Sequence, residues 1–320
     1  MFPHLLFNVL CIFLMMVPGF VAVRSGIFSR STATDLSRIL VNFIYPCFIF
    51  YSITSCFTFN ELVGRWTLPA GSLGIMITGY LIGLVAVRFI KFRTDDEKKS
   101  FLFQSLMNNY SFLPLPLVIF LFGEKGGAAL IFSSFGAELS VWTVGVFILH
   151  GHKFSMKNLK HLLTYPMISL YCAVLFSWIV SVFKDYGFFS GHENLVPFSN
   201  YTLNTLKMIG SATIPLAMIV AGARIAMMDF SGFSNARVWM LTSLRLIVIP
   251  LAALSILKLI GLPEDTQKIL MIVAVMPTSI ASIMISEIYG GDKEFMTITV
   301  VSSHVFSIIT IPILLSLFLS

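Results

Sequence analysis

Asn108 and Asn109 stand just ahead of Pro114 and Pro116 inside a hydrophobic run. Proline has no amide hydrogen and collides with the carbonyl one turn back, so this pair of prolines stops a helix from continuing. Carbonyls and amides released at membrane depth need partners, which a neighbouring helix, a trapped water or a ligand can supply. A second interruption, Pro277, Thr278, Ser279, Ile280, Ala281 and Ser282, follows at an offset of 168 residues. If the two interruptions meet, two half-helix N-termini point at one spot, each with about half a positive charge. That setting suits an anion. The candidate substrate-binding residues are therefore Asn108, Asn109, Pro116, Pro277, Thr278 and Ser279, with Ser282 as a further hydroxyl. Taken singly, each proline only kinks a packed helix, and the asparagines join neighbouring helices. The matched offset favours the binding reading.

Three ionisable residues fall where lipid penalises charge. Glu138 lies in the middle of a hydrophobic span with Ser134 one turn before it, and a carboxylate there costs about 2.5 to 3.5 kcal/mol on insertion scales. It must face protein, ion or water, as a proton carrier or, beside a cation, as an ion ligand. Arg245 can neutralise either Glu138 or a substrate carboxylate, and a structural Glu138 to Arg245 ion pair is the alternative. His304 can titrate near neutrality, or pack between helices through a hydrogen bond. Glu138, Arg245 and His304 are the candidates for coupling to protons or sodium. Lys207, near a span end, can snorkel to the interface.

The elements that position these residues follow from composition. With 57% hydrophobic and 11% charged residues, the chain is expected to be an all-α integral membrane protein whose surroundings are a lipid bilayer. A pass needs roughly 20 apolar residues, and ten candidates occur near 3–23, 37–57, 67–90, 101–122, 127–149, 162–183, 199–221, 236–257, 266–289 and 295–319. The first is read as a retained helix, with the mature protein starting near Met1, because no Lys or Arg precedes Arg24. With both termini outside, fourteen of the 21 basic residues fall on the cytoplasmic side, as the positive-inside rule requires. That asymmetry explains the net charge of +6 without a nucleic-acid partner. The charged run 94–99 reads as part of a solvated loop. Cys11, Cys47, Cys56 and Cys172 show no paired spacing, so they read as packing residues.

The halves match elsewhere too. The segment Asn42, Phe43, Ile44, Tyr45, Pro46 corresponds to Ala212, Thr213, Ile214, Pro215, and Gly123, Glu124, Lys125 to Gly291, Asp292, Lys293, all at offsets of 168 to 169. Asn42 joins the candidate substrate contacts. The expected domains are a first five-helix repeat at 1–149, a cytoplasmic linker at 150–161 and a second repeat at 162–320. Five passes per half, an odd number, make the repeats inverted, the pattern of secondary transporters.

No enzyme is expected. His192-Glu193 is not followed by the second histidine of a zinc-protease helix, and no glycine-rich phosphate loop is present.

At this point the residues resemble the auxin efflux carrier family, which includes bacterial carboxylate carriers and the plant PIN auxin exporters. The resemblance rests on Asn109, Pro116 and Gly123 in the fourth span; on Pro277, Tyr289-Gly290-Gly291-Asp292 and Ile311-Pro312 near the end; and on Tyr45-Pro46, Pro215-Leu216 and Gly222. It covers essentially all 320 residues, although Leu113-Pro114-Leu115-Pro116 stands where the family usually has Gly-x-Pro. It implies ten transmembrane helices as two inverted repeats with broken crossover helices 4 and 9, related to the bile-acid sodium symporters. It further implies a scaffold of helices 1, 2, 6 and 7, a transport domain of helices 3–5 and 8–10, elevator-type movement, and a substrate carboxylate held by Asn109 and the backbone beside Pro277. The expected function is secondary transport of small organic anions, mono- or dicarboxylates, with no cofactor, in a bacterial inner membrane. By analogy of fold the protein pairs as a homodimer. A non-transporting receptor that keeps the same ligand site is the alternative; such proteins usually carry a signalling domain or long cytoplasmic tail, and neither is expected here.

Overall fold

The computed structural model describes residues 2–151, 162–185, 195–228 and 233–319. Most of the expected linker at 150–161, the basic residues Lys153, Lys157 and Lys160, and the His192-Glu193 pair lie outside the described residues. Among those described there is no β-strand, only an isolated antiparallel bridge between Asn108 and Thr278.

Among the described residues, eight helical stretches are long and apolar enough to cross a bilayer: Phe2–Arg24, Arg30–Cys56, Phe59–Ala86, Pro114–Leu149, Tyr165–Phe183, Asn200–Ala226, Ala236–Ile260 and Lys293–Phe318. The first contains α1 (Phe2–Leu14) and α2 (Val17–Arg24), and the second contains α3 (Arg30–Ile39) and α4 (Tyr45–Cys56). Next come α5 (Phe59–Gly64), α6 (Thr67–Ala86), α7 (Asp95–Leu106), α8 (Pro114–Ser140) and α9 (Val146–Leu149). The second half holds α10 (Tyr165–Asp185), α11 (Leu195–Gly210), α12 (Thr213–Ala226), α13 (Ala236–Ser243), α14 (Ile249–Ile260), α15 (Glu264–Ala274), α16 (Ala281–Tyr289) and α17 (Lys293–Phe318).

The stretches 101–122 and 266–289 are not continuous helices. The first stops after α7 and resumes at α8; the second stops after α15 and resumes at α16. These short helices are sheltered: residues 100–106 of α7 and 269–274 of α15 are all buried. Broken backbone is tolerated at membrane depth only where protein or a water-filled cavity shields it. The outer helices instead expose large apolar side chains such as Phe7, Phe89, Met208 and Leu259, a surface that suits lipid.

Among the described residues, wide π-turns interrupt three helices, at Leu40–Ile44, Val141–Gly145 and Leu244–Val248. Two of them run into Pro46 and Pro250, whose missing N–H and bulky ring disfavour the ordinary ladder one turn earlier. Elsewhere glycine allows helices to touch: a Cβ at Gly19 of α2 would collide with the Ile219 carbonyl of α12, and one at Gly222 with the Met16 carbonyl. At Gly123 the backbone takes φ 66°, which breaks α8 into two helical segments, one before and one after this glycine.

The charged run 94–99 is not a loop. Thr94 caps α7 by accepting from the Glu97 amide at 3.1 Å, and Asp95, Asp96 and Glu97 fill the first turn, where the helix dipole favours acids. Glu97 is buried and accepts from the Arg93 amide at 2.7 Å and Asn235 Nδ2 at 2.8 Å, with Arg237 Nε at 3.6 Å. Lys207 pairs with Glu124 at 3.2 Å rather than only reaching for the interface.

Candidate functional site

The two breaks, 107–113 and 275–280, lie against each other as short extended segments. The Asn109 amide donates to the Pro277 carbonyl at 2.8 Å and the Ser279 amide to the Met107 carbonyl at 3.4 Å, on either side of the Asn108–Thr278 bridge. Backbone groups freed by the prolines therefore satisfy one another in part.

In extended backbone, successive side chains point to opposite sides, and the neighbours here have opposite fates. Asn108 and Thr278 turn into protein: Asn108 Nδ2 donates to the Val273 carbonyl at 2.6 Å, Thr278 Oγ1 shares a 2.6 Å hydrogen bond with Ser303, and both are fully buried. Asn109 and Ser279 line a cavity of about 350 Å³. Asn109 Oδ1 accepts from the Leu113 amide at 3.4 Å and Ser279 Oγ from the Ala281 amide at 3.3 Å, so each caps the start of the following helix. A backbone amide can only donate, which fixes the orientation of the Asn109 carboxamide. Its Nδ2 is left without a hydrogen-bond partner among the described residues, and the Ser279 hydroxyl hydrogen is likewise free to donate.

Glu138, on α8, lines the same cavity and is held by two donors, Tyr110 Oη at 2.9 Å and Trp142 Nε1 at 2.7 Å. Trp142 is one turn after Glu138, and Tyr110 is the next residue after Asn109 in the break. His304, on α17, also lines the cavity. Its Nδ1 meets the Val300 carbonyl at 2.8 Å and must donate there, so in the neutral ring Nε2 is an acceptor; among the described residues it has no hydrogen-bond partner.

Arg245 departs from both of its expected roles. It pairs neither with Glu138 nor with a group in the cavity, whose walls do not include it. Its guanidinium donates to three carbonyls: Met276 at 3.2 Å, Ser105 at 3.2 Å and Ala274 at 3.3 Å. Hydrogen bonds to a charged group contribute about 1.5 to 3 kcal/mol each, enough in sum to offset the penalty of about 2.5 to 3.5 kcal/mol for an arginine at membrane depth.

The remaining candidates also stand outside the cavity wall. Pro116 is buried in the first turn of α8, and Pro277 contributes its carbonyl to the meeting of the breaks. Asn42 is half-buried in a π-turn, while its neighbours Val41 and Tyr45 line the cavity. Tyr110, Trp142 and Arg224 were not among the candidate site residues expected from the sequence. Arg224 lines this cavity and a second one of about 560 Å³, which also includes Arg30 and Lys293; Ile280 and Met284 belong to both walls.

The model of a family described as membrane transport protein matches residues 4–315. An uncharacterized transporter of Methanocaldococcus jannaschii is 24% identical over 95% of this chain and 96% of its own length. Another, from Methanothermobacter thermautotrophicus, is 23% identical over 96% of both. Long apolar helices around two sheltered breaks, matched by this family along almost the whole sequence, place the chain among the integral membrane transport proteins of the auxin efflux carrier family.

Proposed function

We propose that the protein is a secondary transporter of small organic anions, mono- or dicarboxylates, whose substrate sits where the two breaks meet. One observation carries the reading: Asn109 and Ser279 each spend an oxygen on capping a helix start and leave a donor over the cavity. Two donors beside two positive helix ends form a binder of acceptors, and a carboxylate is the small acceptor that carries a charge to match.

Ten passes in two inverted halves accommodate the eight long helices and the two interrupted segments. Packing that exchanges the halves supports this: α2 of the first pass lies on α12 of the seventh, as α10 of the sixth lies on α4 of the second. In this reading helices 1, 2, 6 and 7 are the scaffold, and helices 3–5 and 8–10 carry the breaks as an elevator. Both termini lie outside a plasma membrane, so the second cavity, lined by Arg30, Arg224 and Lys293 together with Glu287 and Glu294, faces the cytoplasm. Glu138, a carboxyl on the cavity wall with two fixed donors, is the group for proton coupling, and a homodimer would form through the scaffold.

The test is thermal unfolding of the purified protein with acetate, succinate, malonate and several amino acids, since a ligand bound only by the folded state raises the melting temperature. A shift with a carboxylate that needs about tenfold or more ligand in Asn109→Ala, each variant compared with its own ligand-free melting temperature, is the expected result. A carboxylate shift with an undiminished concentration dependence in Asn109→Ala removes the site from the breaks.

A further inference from the structure

Arg245 is the bulkiest of the fully buried side chains, and among the described residues no carboxylate pairs with it. Two of its three carbonyl partners, Ser105 and Ala274, belong to the last turns of α7 and α15. Those turns hold carbonyls that no intrahelical amide can reach. Each helix C-terminus carries about half a negative charge, so two of them sum to about one, which a single guanidinium matches. Met276, within the second break, supplies the third carbonyl. The other buried hydrogen bonds at these breaks join neutral groups, including Gln104 Nε2 to Ser282 Oγ at 3.0 Å and Thr278 to Ser303. The seat is built from outside as well, because a Cβ on Gly79 of α6 would run into the Ser105 carbonyl and lie 3.5 Å from Arg245 Nη1.

We propose that Arg245 is a resident countercharge for the two breaks, supplying from within the chain the positive charge that converging helix C-termini would otherwise draw from a bound metal cation. Carbonyl oxygens at the end of a broken membrane helix are a ready set of sodium ligands, and here a planar fork of N–H donors fills the place. Arg245 thereby holds the breaks in the register that sets Asn109 beside Ser279. It is a positioning residue, and no sodium ion is needed between the breaks. The inference rests on the substrate site lying at these breaks, but its readout does not require the substrate.

The experiment is thermal unfolding of the full-length protein in detergent for the wild type and for Arg245→Ala, Arg245→Lys and Arg245→Gln, each in choline chloride, sodium chloride and millimolar guanidinium chloride. The expected result is a wild type indifferent to the cation, Arg245→Lys close to it, and Arg245→Ala with a lowered melting temperature that guanidinium or sodium, but not choline, largely restores. A general packing defect would not respond to the identity of a small cation. If Arg245→Ala cannot be recovered folded, the comparison of lysine with glutamine decides: Lys more stable than Gln supports the countercharge, and equal stability overturns it. A wild type that sodium stabilises over choline also overturns it, because a metal cation would then still be bound. Asn109→Ala in the same series separates the two ideas. An undiminished carboxylate shift there defeats the site assignment, while cation rescue of Arg245→Ala alone establishes the countercharge.

Discussion

The two sides of the meeting breaks are built from similar parts and finished in opposite ways. On one side α7 and α15 end, and their negative termini are closed by Arg245 with every guanidinium contact made inside the protein. On the other side α8 and α16 begin, and their positive termini are only partly closed, by Asn109 and Ser279, over a cavity. A broken helix at membrane depth has two ends to neutralise. Here the negative ends are settled permanently, and the positive ends are left for something that comes and goes. The difference separates the part that holds the architecture from the part that can exchange a ligand.

The predictions follow from trying to erase that difference. Asn109→Ala strikes the open side hardest, and carboxylate affinity should fall roughly tenfold or more, about 1.4 kcal/mol, while the lost cap on α8 costs about 1 kcal/mol of stability. Gly79→Ala strikes the closed side: its methyl displaces the Ser105 carbonyl from Arg245, and chemical unfolding should show a loss of about 1 to 3 kcal/mol, the usual scale of overpacking. If Gly79→Ala is as stable as the parent, the seat is softer than described. Ser279→Ala removes one donor and one weak cap, so carboxylate affinity should fall by about 1 kcal/mol, measured by titration calorimetry. Glu138→Gln keeps the size and hydrogen-bonding reach of the side chain but cannot lose a proton at neutral pH, so uptake into liposomes should become flat with pH; an unchanged profile returns Glu138 to a structural role. The smallest effect is expected away from both sides, at the exposed Lys207–Glu124 pair, where Lys207→Gln should cost below about 1 kcal/mol.

Much of this contrast was legible in the sequence, and the limits have identifiable causes. Repeated offsets located both breaks, because proline stops a helix wherever it stands. Composition likewise required apolar helices. Residue types could not say which of Asn108 and Asn109, or of Thr278 and Ser279, would face the cavity: once the backbone is extended, neighbours part company, and only the register of one break on the other decides. Arg245 was misread for a related reason. Its partners are main-chain carbonyls, which every residue possesses and no sequence pattern marks. The run 94–99 was taken for a loop on its charge, but its threonine cap and acidic first turn are the signature of a helix start.

The glycine turn at 123 has a mechanical consequence. Between the first break and Glu138 the chain runs through two helical segments that meet at the non-helical Gly123, and Tyr110 ties the break itself to the Glu138 carboxyl. A substrate gripped at Asn109 and a proton on Glu138 would therefore be cargo on one carriage, so that with a monocarboxylate the full carriage carries the same charge as the empty one, while a half-loaded carriage differs from both by one charge.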